Sequence, residues 1–472
     1  QNHFNNLMPT WDNGTYTFND SNVSHLYLWL QDQAGNIFGY QQSLAYELPQ
    51  GDGSYSNPLL VYNSSDLQAI GDNASSLSAH YQLAGNIDLT GVTWTPIGTS
   101  TAPFSGSLNG SDQSTGTTYR ISNLSINSSS QYQGLFGYTR NAEFKQVQLD
   151  NVTIHSTSNH VGALIGYADN TSLQSNYALI DNISGASYVG GLVGEIVNSV
   201  INSGGAYRNC SHSCVEEVSG SGDYVGGYAG KITNSQINNG YSNITVRANP
   251  SSTSAFIGGF VGAVLDSTLF NPGSAGEVIA IHSDQVGGLA GSVKNTSIDM
   301  SWSRSKVSGR NDVGGLVGKL DEYSEIRKSS YQHESVSGDN NTGGLVGVII
   351  STSQINYTYV IGDNDSNVID NITGTSNVGG LVGSTQDNTT IFESFASIKV
   401  LGSSGVGGLI GFSAVNDNIT TSYYDNETSS QNDTGKGFPR SKKQLEETQL
   451  AGGTIDGLQT FSNWNFDTIW QP

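Results

Sequence analysis

Basic residues are scarce in this chain. Its 472 residues carry 18 Lys plus Arg against 40 Asp plus Glu, a formal net charge of −22. No basic patch exists to neutralise phosphates, which argues against nucleic acid as a partner. An anionic membrane surface would also repel such a chain. Long apolar runs are missing as well. No stretch of 18 apolar residues occurs, so no segment reads as a membrane-spanning helix. Cysteine is limited to Cys210 and Cys214. Two thiols, with only His212 between them, do not complete a zinc site. A local disulfide between them, pinning a loop, is the preferred reading, with free thiols as the alternative, and it would suit an extracellular compartment. The first residues, Gln1-Asn2-His3, show no basic–apolar leader pattern. The expectation is that a signal has been removed or that the chain is cut from something longer.

What the chain has in quantity is glycine, 59 residues, beside Ser, Asn and Thr. The glycines are ordered. Val-Gly-Gly-Leu-Val-Gly stands complete at 189–194, 313–318 and 378–383, and close relatives end on Gly137, Gly166, Gly230, Gly262, Gly291, Gly347 and Gly411. The copies recur about every 29 residues, with two longer steps of 36, which marks a repeat array. Apolar residues keep register with the glycines, so the low-charge composition does not mean disorder. Within each unit a Gly-rich strand precedes a short segment such as Ser199-Val-Ile-Asn202, and then a third apolar segment. Three short strands per unit cannot bury their own apolar face, but stacked units can. The expected fold is an all-β, right-handed parallel β-helix of about ten such turns, roughly 50 Å long at ~4.8 Å per turn. Glycine at one place in every turn implies a sharp bend or a close backbone approach.

Four regions follow. Residues 1–58 form a β-rich segment and linker. There, a tryptophan-bearing stretch before Asp32-Gln-Ala-Gly-Asn36 resembles the last strands of an immunoglobulin-like surface domain, with a sheet covering the rod end as the alternative. Residues 59–130 supply irregular first coils, with a short helix at 65–70 capped by Ser64 or Ser65. Residues 131–425 hold the array. Residues 426–472 close it, through a helix at 441–450 with Ser441 as N-cap and an aromatic cluster of Phe461, Trp464, Phe466 and Trp470. Such a cap would cover an otherwise unpaired sheet edge.

Candidate chemistry is sparse. No His-Glu-x-x-His occurs among the eight histidines, and no nucleophile or base stands out. Arg304, Lys306, Arg310, Lys319, Arg327 and Lys328 fall in two adjacent turns near several carboxylates, and read as a solvated face of ion pairs. Asp363, Asp365, Asn367 and Asp370 alternate oxygen side chains in a way that suits calcium, although the loop lacks the central Gly and final Glu of a helix-loop-helix site. A plain insertion is the simpler reading. No other cofactor is implied. About twenty Asn-x-Ser/Thr triplets occur, among them Asn151, Asn243 and Asn371, which are glycosylation candidates only where a host supplies the machinery.

The recurring Gly-Gly-Leu-Val-Gly resembles the GLUG motif of bacterial and archaeal surface proteins, also found flanking the catalytic part of IgA-specific metallopeptidases. Tyr81-Gln-Leu83, Trp94-x-Pro-Ile-Gly98 and Tyr119-Arg-Ile-Ser-Asn-Leu124 look like the segment that precedes such repeats, and Tyr423-Tyr-Asp425 like their close. The resemblance implies a secreted or cell-surface β-helix, often an adhesin, with no catalytic role. Partners would be a host-cell, glycan or matrix ligand, or neighbouring copies of the chain. A polysaccharide lyase or hydrolase and a self-assembling filament subunit are the alternatives.

Overall fold

The computed structural model describes residues 25–31, 37–43, 51–209, 216–248, 256–365 and 368–447. It divides into two compact units, 1–51 and 52–472. In the first, His25–Gln31 pairs antiparallel with Ile37–Ser43. The second is a parallel β-solenoid, all-β as its repeats imply.

Each turn has four walls where the sequence suggested three. The Gly-rich segment divides into two strands lying in separate sheets. Val189–Gly190 belongs to an eight-stranded wall and Val193–Val197 to a ten-stranded wall. Walls three and four, such as Thr268–Phe270 and Gly273–Ile279, join in one continuous sheet. Register is strict. Val193 pairs with Ala229, Ala229 with Val261, and Val261 with Ala290. The core is one uninterrupted apolar column from Val61 to Tyr424.

Glycine makes the corner between walls one and two feasible. A Cβ on Gly194 would lie 2.7 Å from the Val161 nitrogen, and one on Gly190 would meet the Val193 carbonyl oxygen. The two strand layers therefore touch backbone to backbone, with no side chain between them. A Cβ on Gly191 would strike the carbonyl of Gly227, its equivalent one turn on, and the same clash recurs at Gly227, Gly259, Gly288, Gly315, Gly344 and Gly380. Both expected uses of glycine, bending and close approach, occur at one corner.

The corner between walls two and three explains the Asn-Ser and Asn-Thr pairs. Asn170, Asn198, Asn234 and Asn295 all have positive φ, a conformation Asn adopts more readily than most residues. Their amides stack turn on turn, Asn170 Nδ2 donating to Asn141 Oδ1 at 2.7 Å and Asn234 Nδ2 to Asn198 Oδ1 at 2.7 Å. The following hydroxyl is buried. Ser235 Oγ accepts the Ser199 N–H at 3.0 Å and donates to the Thr233 carbonyl at 2.7 Å. Ser199, Ser267, Thr296 and Ser324 repeat the arrangement. Buried turn amides are thus satisfied by a column of hydroxyls, not by water.

The first coils contain a helix at Ser64–Ala69. Its N-cap is Asn63, not Ser64 or Ser65, because the Asn63 carboxamide oxygen takes the N–H groups of Ser65 and Asp66. At the far end, Tyr423–Asp425 is followed by one more parallel strand, Phe438–Arg440. The helix Lys442–Glu447 does begin with Ser441, whose Oγ accepts the Gln444 N–H while Gln444 Oε1 accepts the Ser441 N–H. This reciprocal pair is a capping box. The aromatic cluster after Leu450 lies outside the described residues.

Candidate ligand-binding face

Two columns of aromatic residues run along the outside of the rod. The first occupies the residue before each Val-Gly pair. Tyr132, His160, Tyr188 and Tyr224 all have positive φ there, and Phe256 continues the column. Their half-buried rings stack in series. His160 lies 4.5 Å from Tyr188 at 6°, Tyr188 lies 4.8 Å from Tyr224, and Tyr224 lies 5.0 Å from Phe256. Beside them on wall two the register brings Tyr138, Tyr167, Glu195 and Lys231 into line. Buried Glu195 accepts from His160 Nε2 at 2.9 Å and lies 3.8 Å from Lys231. Lys231 in turn sits 5.2 Å above the Tyr224 ring. Burial, with neighbouring Tyr138 and Glu195 adding to it, drives the Tyr167 phenol well above its ordinary pKa. From Gln285 onward the column changes chemistry. Asn341 Nδ2 donates to Asp312 Oδ1 and Asn377 Nδ2 to Asn341 Oδ1.

The second column lies on wall four. One outward position runs Tyr177, Gly205, Tyr241, Gly273, Trp302, Ser330, Tyr359 and Phe395. A Cβ on Gly205 would fall 2.5 Å from the Tyr207 ring, and one on Gly273 would collide with Trp302. The glycines let those two rings lie across the gaps. The outcome is a chain of rings, with Tyr177–Tyr207 at 6.1 Å, Tyr207–Tyr241 at 5.6 Å and Tyr241–Trp302 at 5.6 Å. The exposed Arg304 guanidinium sits 5.6 Å from the Trp302 ring centre. Gln332 Oε1 accepts from its Nη2 at 2.9 Å. The Gln332 amide then donates to Tyr359. Beyond it Tyr359 and Phe395 stack at 5.6 Å and 13°.

A group of carboxylates lies further along the same turns. Burial, then the charge of Asp370, holds the Glu334 carboxyl above its ordinary pKa, while Lys306 opposes them. Lys306 itself pairs with Glu277 at 3.2 Å. The basic residues grouped in the sequence mostly pair, Arg310 with Asp284, Lys319 with Asp321 and Arg327 with Asp299.

Of the calcium loop, exposed Asp363 accepts from His333 Nδ1 at 2.9 Å, and buried Asp370 accepts the Asp363 N–H at 2.7 Å. The segment between is a two-stranded hairpin, Asn364–Asp365 with Val368–Ile369. Asn367 and the Asp365 side chain lie outside the described residues. Among the described residues, no three His, Cys, Asp or Glu side chains converge as a metal site. Cys210 and Cys214 also lie outside them. Asn151 uses its amide in a bond to Asn123 Oδ1 at 2.5 Å. Asn243 is half-buried, and its Oδ1 takes the Arg208 N–H at 3.0 Å. Asn371 Oδ1 accepts from Thr373.

Neither aromatic column was anticipated from the sequence. The signal was present as the residue preceding each Val-Gly or Ile-Gly pair, and emerges once the copies are aligned on their glycines.

Comparison with known proteins gives partial matches. No family model matches the chain. Over 144 residues it is 33% identical to a protein named "Putative Gly-rich membrane protein" from Evansella cellulosilytica, an alignment covering 28% of this chain and 15% of that protein. Over 179 residues it is 31% identical to Halomucin from Haloquadratum walsbyi, covering 34% of this chain and 2% of that protein. The chain thus spans only a small part of either relative. By structure, 89% of the chain aligns with 26% of an IgA1 protease, at 14% identity and a TM-score of 0.31. One of these relatives is named as a membrane protein, and among the described residues of this chain no helix is long and apolar enough to cross a membrane.

Proposed function

We propose that this chain is a rigid, non-enzymatic rod of the GLUG-repeat kind within a secreted or cell-surface protein, acting as an adhesin, stalk or structural element. The observation that carries the reading is the column of buried hydroxyls that takes one backbone N–H per turn from Thr171 to Ser353. It spends the polar side chains on holding successive turns in register, which is what a stiff spacer requires. The two partial relatives agree with a surface location. Gel and surface labelling of producing cells, with an antibody to the purified chain, tests location. A purely intracellular signal would reject it.

One observation favours a second reading, a polysaccharide-cleaving enzyme. Glu334 has a raised pKa, as a general acid needs, and the Lys306 charge acts on it from the neighbouring turn. A turnover assay for reducing ends and unsaturated products across acidic and neutral polysaccharides separates the two. Product formation that disappears in Glu334→Gln would overturn the non-enzymatic reading.

A further inference from the structure

We propose that the wall-four strip of Tyr177, Tyr207, Tyr241 and Trp302, with Arg304, binds a linear acidic polysaccharide lying along the rod axis. The proposal deepens the surface reading above by naming a ligand class and its site.

Three features point to this occupant. The first is shape. A solenoid repeats its surface along one axis, so a site built by register is long and straight, and suits an extended polymer better than a compact ligand. The ring centres are spaced 5.6 to 6.1 Å apart, close to the length of one pyranose unit in an extended chain. Sugar rings present C–H faces that pack on aromatic faces, and here the rings are half-buried, each with a surface open to solvent.

The second is the provision made for the rings. Gly205 and Gly273 stand at positions where turns on either side carry Tyr or Trp. Any side chain there would displace Tyr207 and Trp302. The strip is therefore a continuous surface and not a set of separate residues.

The third is charge. In a chain of net charge −22, Arg120, Arg140, Arg247, Arg310 and Arg327 each hold a carboxylate. Arg304 has no carboxylate within ion-pair distance among the described residues. It is fixed instead by a neutral amide, Gln332, and by the Trp302 ring. Its Nε and Nη2 both reach Gln332 Oε1, and the side chain is otherwise exposed. A guanidinium held in place without an acid is ready to take one from a ligand, and its planar fork fits a carboxylate in two-point fashion. Arg208 and Arg304 both act on the Tyr241 phenol, opposing the rise that burial causes, so positive charge borders the middle of the strip. A neutral glycan would make no use of it, and a second copy of this acidic chain would be repelled overall.

The test is calorimetric titration of the full chain with oligogalacturonate and with a neutral cello-oligosaccharide of equal length, at low salt. The uronate oligomer should bind, at least about tenfold more tightly than the neutral one. Arg304→Gln should erase that preference, and Tyr241→Ala should weaken both ligands. Arg304 is exposed, so its replacement leaves the core intact even if loss of Tyr241 does not. Three outcomes overturn the proposal: no binding of the uronate oligomer, equal binding of both oligomers, or an Arg304→Gln variant that retains the preference. Sedimentation without glycan adds a fourth, concentration-dependent self-association that Arg304→Gln or Tyr241→Ala abolishes. Any of these leaves the surface-labelling result untouched, so the two readings fail separately.

Discussion

Replacing Gly315 by Ala tests the account of the glycine corner most directly. A Cβ there would lie 2.5 Å from the Tyr331 ring, and would also overlap the Gly344 carbonyl oxygen of the next turn. Tyr331 is fully buried and its hydroxyl donates to the Ser305 carbonyl, so it cannot swing away without breaking that bond. The neighbouring turn must move instead. The bonds across that gap are Gly315 N–H to Gly343, and the N–H groups of Leu316 and Val317 to Leu345, at 3.2, 2.9 and 2.9 Å. Weakening two or three of them costs about 0.5–1.5 kcal/mol each. Overpacking of the core adds about 1–3 kcal/mol. The expected destabilisation is therefore roughly 2–7 kcal/mol. Gly85 is the control, since a Cβ there meets nothing closer than the Tyr62 carbonyl oxygen at 3.7 Å. Gly85→Ala should stay within about 0.5 kcal/mol of the parent. Urea unfolding followed by circular dichroism gives the global effect. A stacked array can open locally, so hydrogen exchange on peptides around 313–320 and 342–349 gives the local one. Equal stability of Gly315→Ala and Gly85→Ala would refute the close-packing argument.

Three further outcomes follow from the turns and buried groups. Ser235→Ala removes the acceptor for the buried Ser199 N–H and should cost about 1–3 kcal/mol, whereas Ser235→Thr, matching Thr171 and Thr296 in the same column, should be nearly neutral by urea unfolding. Asp312 has a raised carboxyl pKa, caused chiefly by burial. Its folded form holds a proton more readily than the unfolded chain, so stability is gained as pH falls through the folded value. Asp312→Asn should therefore be more stable than the parent at neutral pH and lose that part of the acid dependence. At the alkaline end, burial pushes Tyr81 up to about 12. Unfolded tyrosine ionises near ~10, so stability should fall between pH ~10 and ~12, read as a drop in melting temperature. A flat melting temperature across that window would count against the burial of these phenols.

The repeat, its period and the parallel stack were readable because glycine and apolar residues recur together. The number of walls was not. Period-two alternation through Val-Gly-Gly-Leu-Val-Gly assumes one straight strand, and cannot register that the chain turns between Gly191 and Leu192. The same limit hid the hydroxyl column. Ser199 and Ser235 read as the first residues of a strand, while their work is done at the corner before it, on the amide of another turn. Asn63 was passed over as an N-cap because two serines follow it, although Asn is as good a cap. Contacts between turns depend on register, which no single copy read alone displays.

The corner before each Val-Gly pair shows how stability and ligand binding could compete at one position. Tyr188 has φ 58°, a conformation costly for a bulky side chain, at about 1–2 kcal/mol. Further along, Asn341 and Asn377 fill the equivalent corner with φ 53° and 52°, which Asn tolerates, and they bond to one another. Tyrosine must therefore gain something that asparagine does not. Its two ring stacks, on His160 and Tyr224, contribute about 0.5–1.5 kcal/mol each. Lys231, 5.9 Å from the ring centre, adds about 0.5 kcal/mol more. These terms offset the backbone cost and leave a small surplus. Tyr188→Asn should accordingly lower stability by roughly 1 kcal/mol, measured by urea unfolding. If it instead raises stability, stacking does not account for the ring. The aromatic column would then be held against the preference of the fold, as residues kept for contact with a partner are.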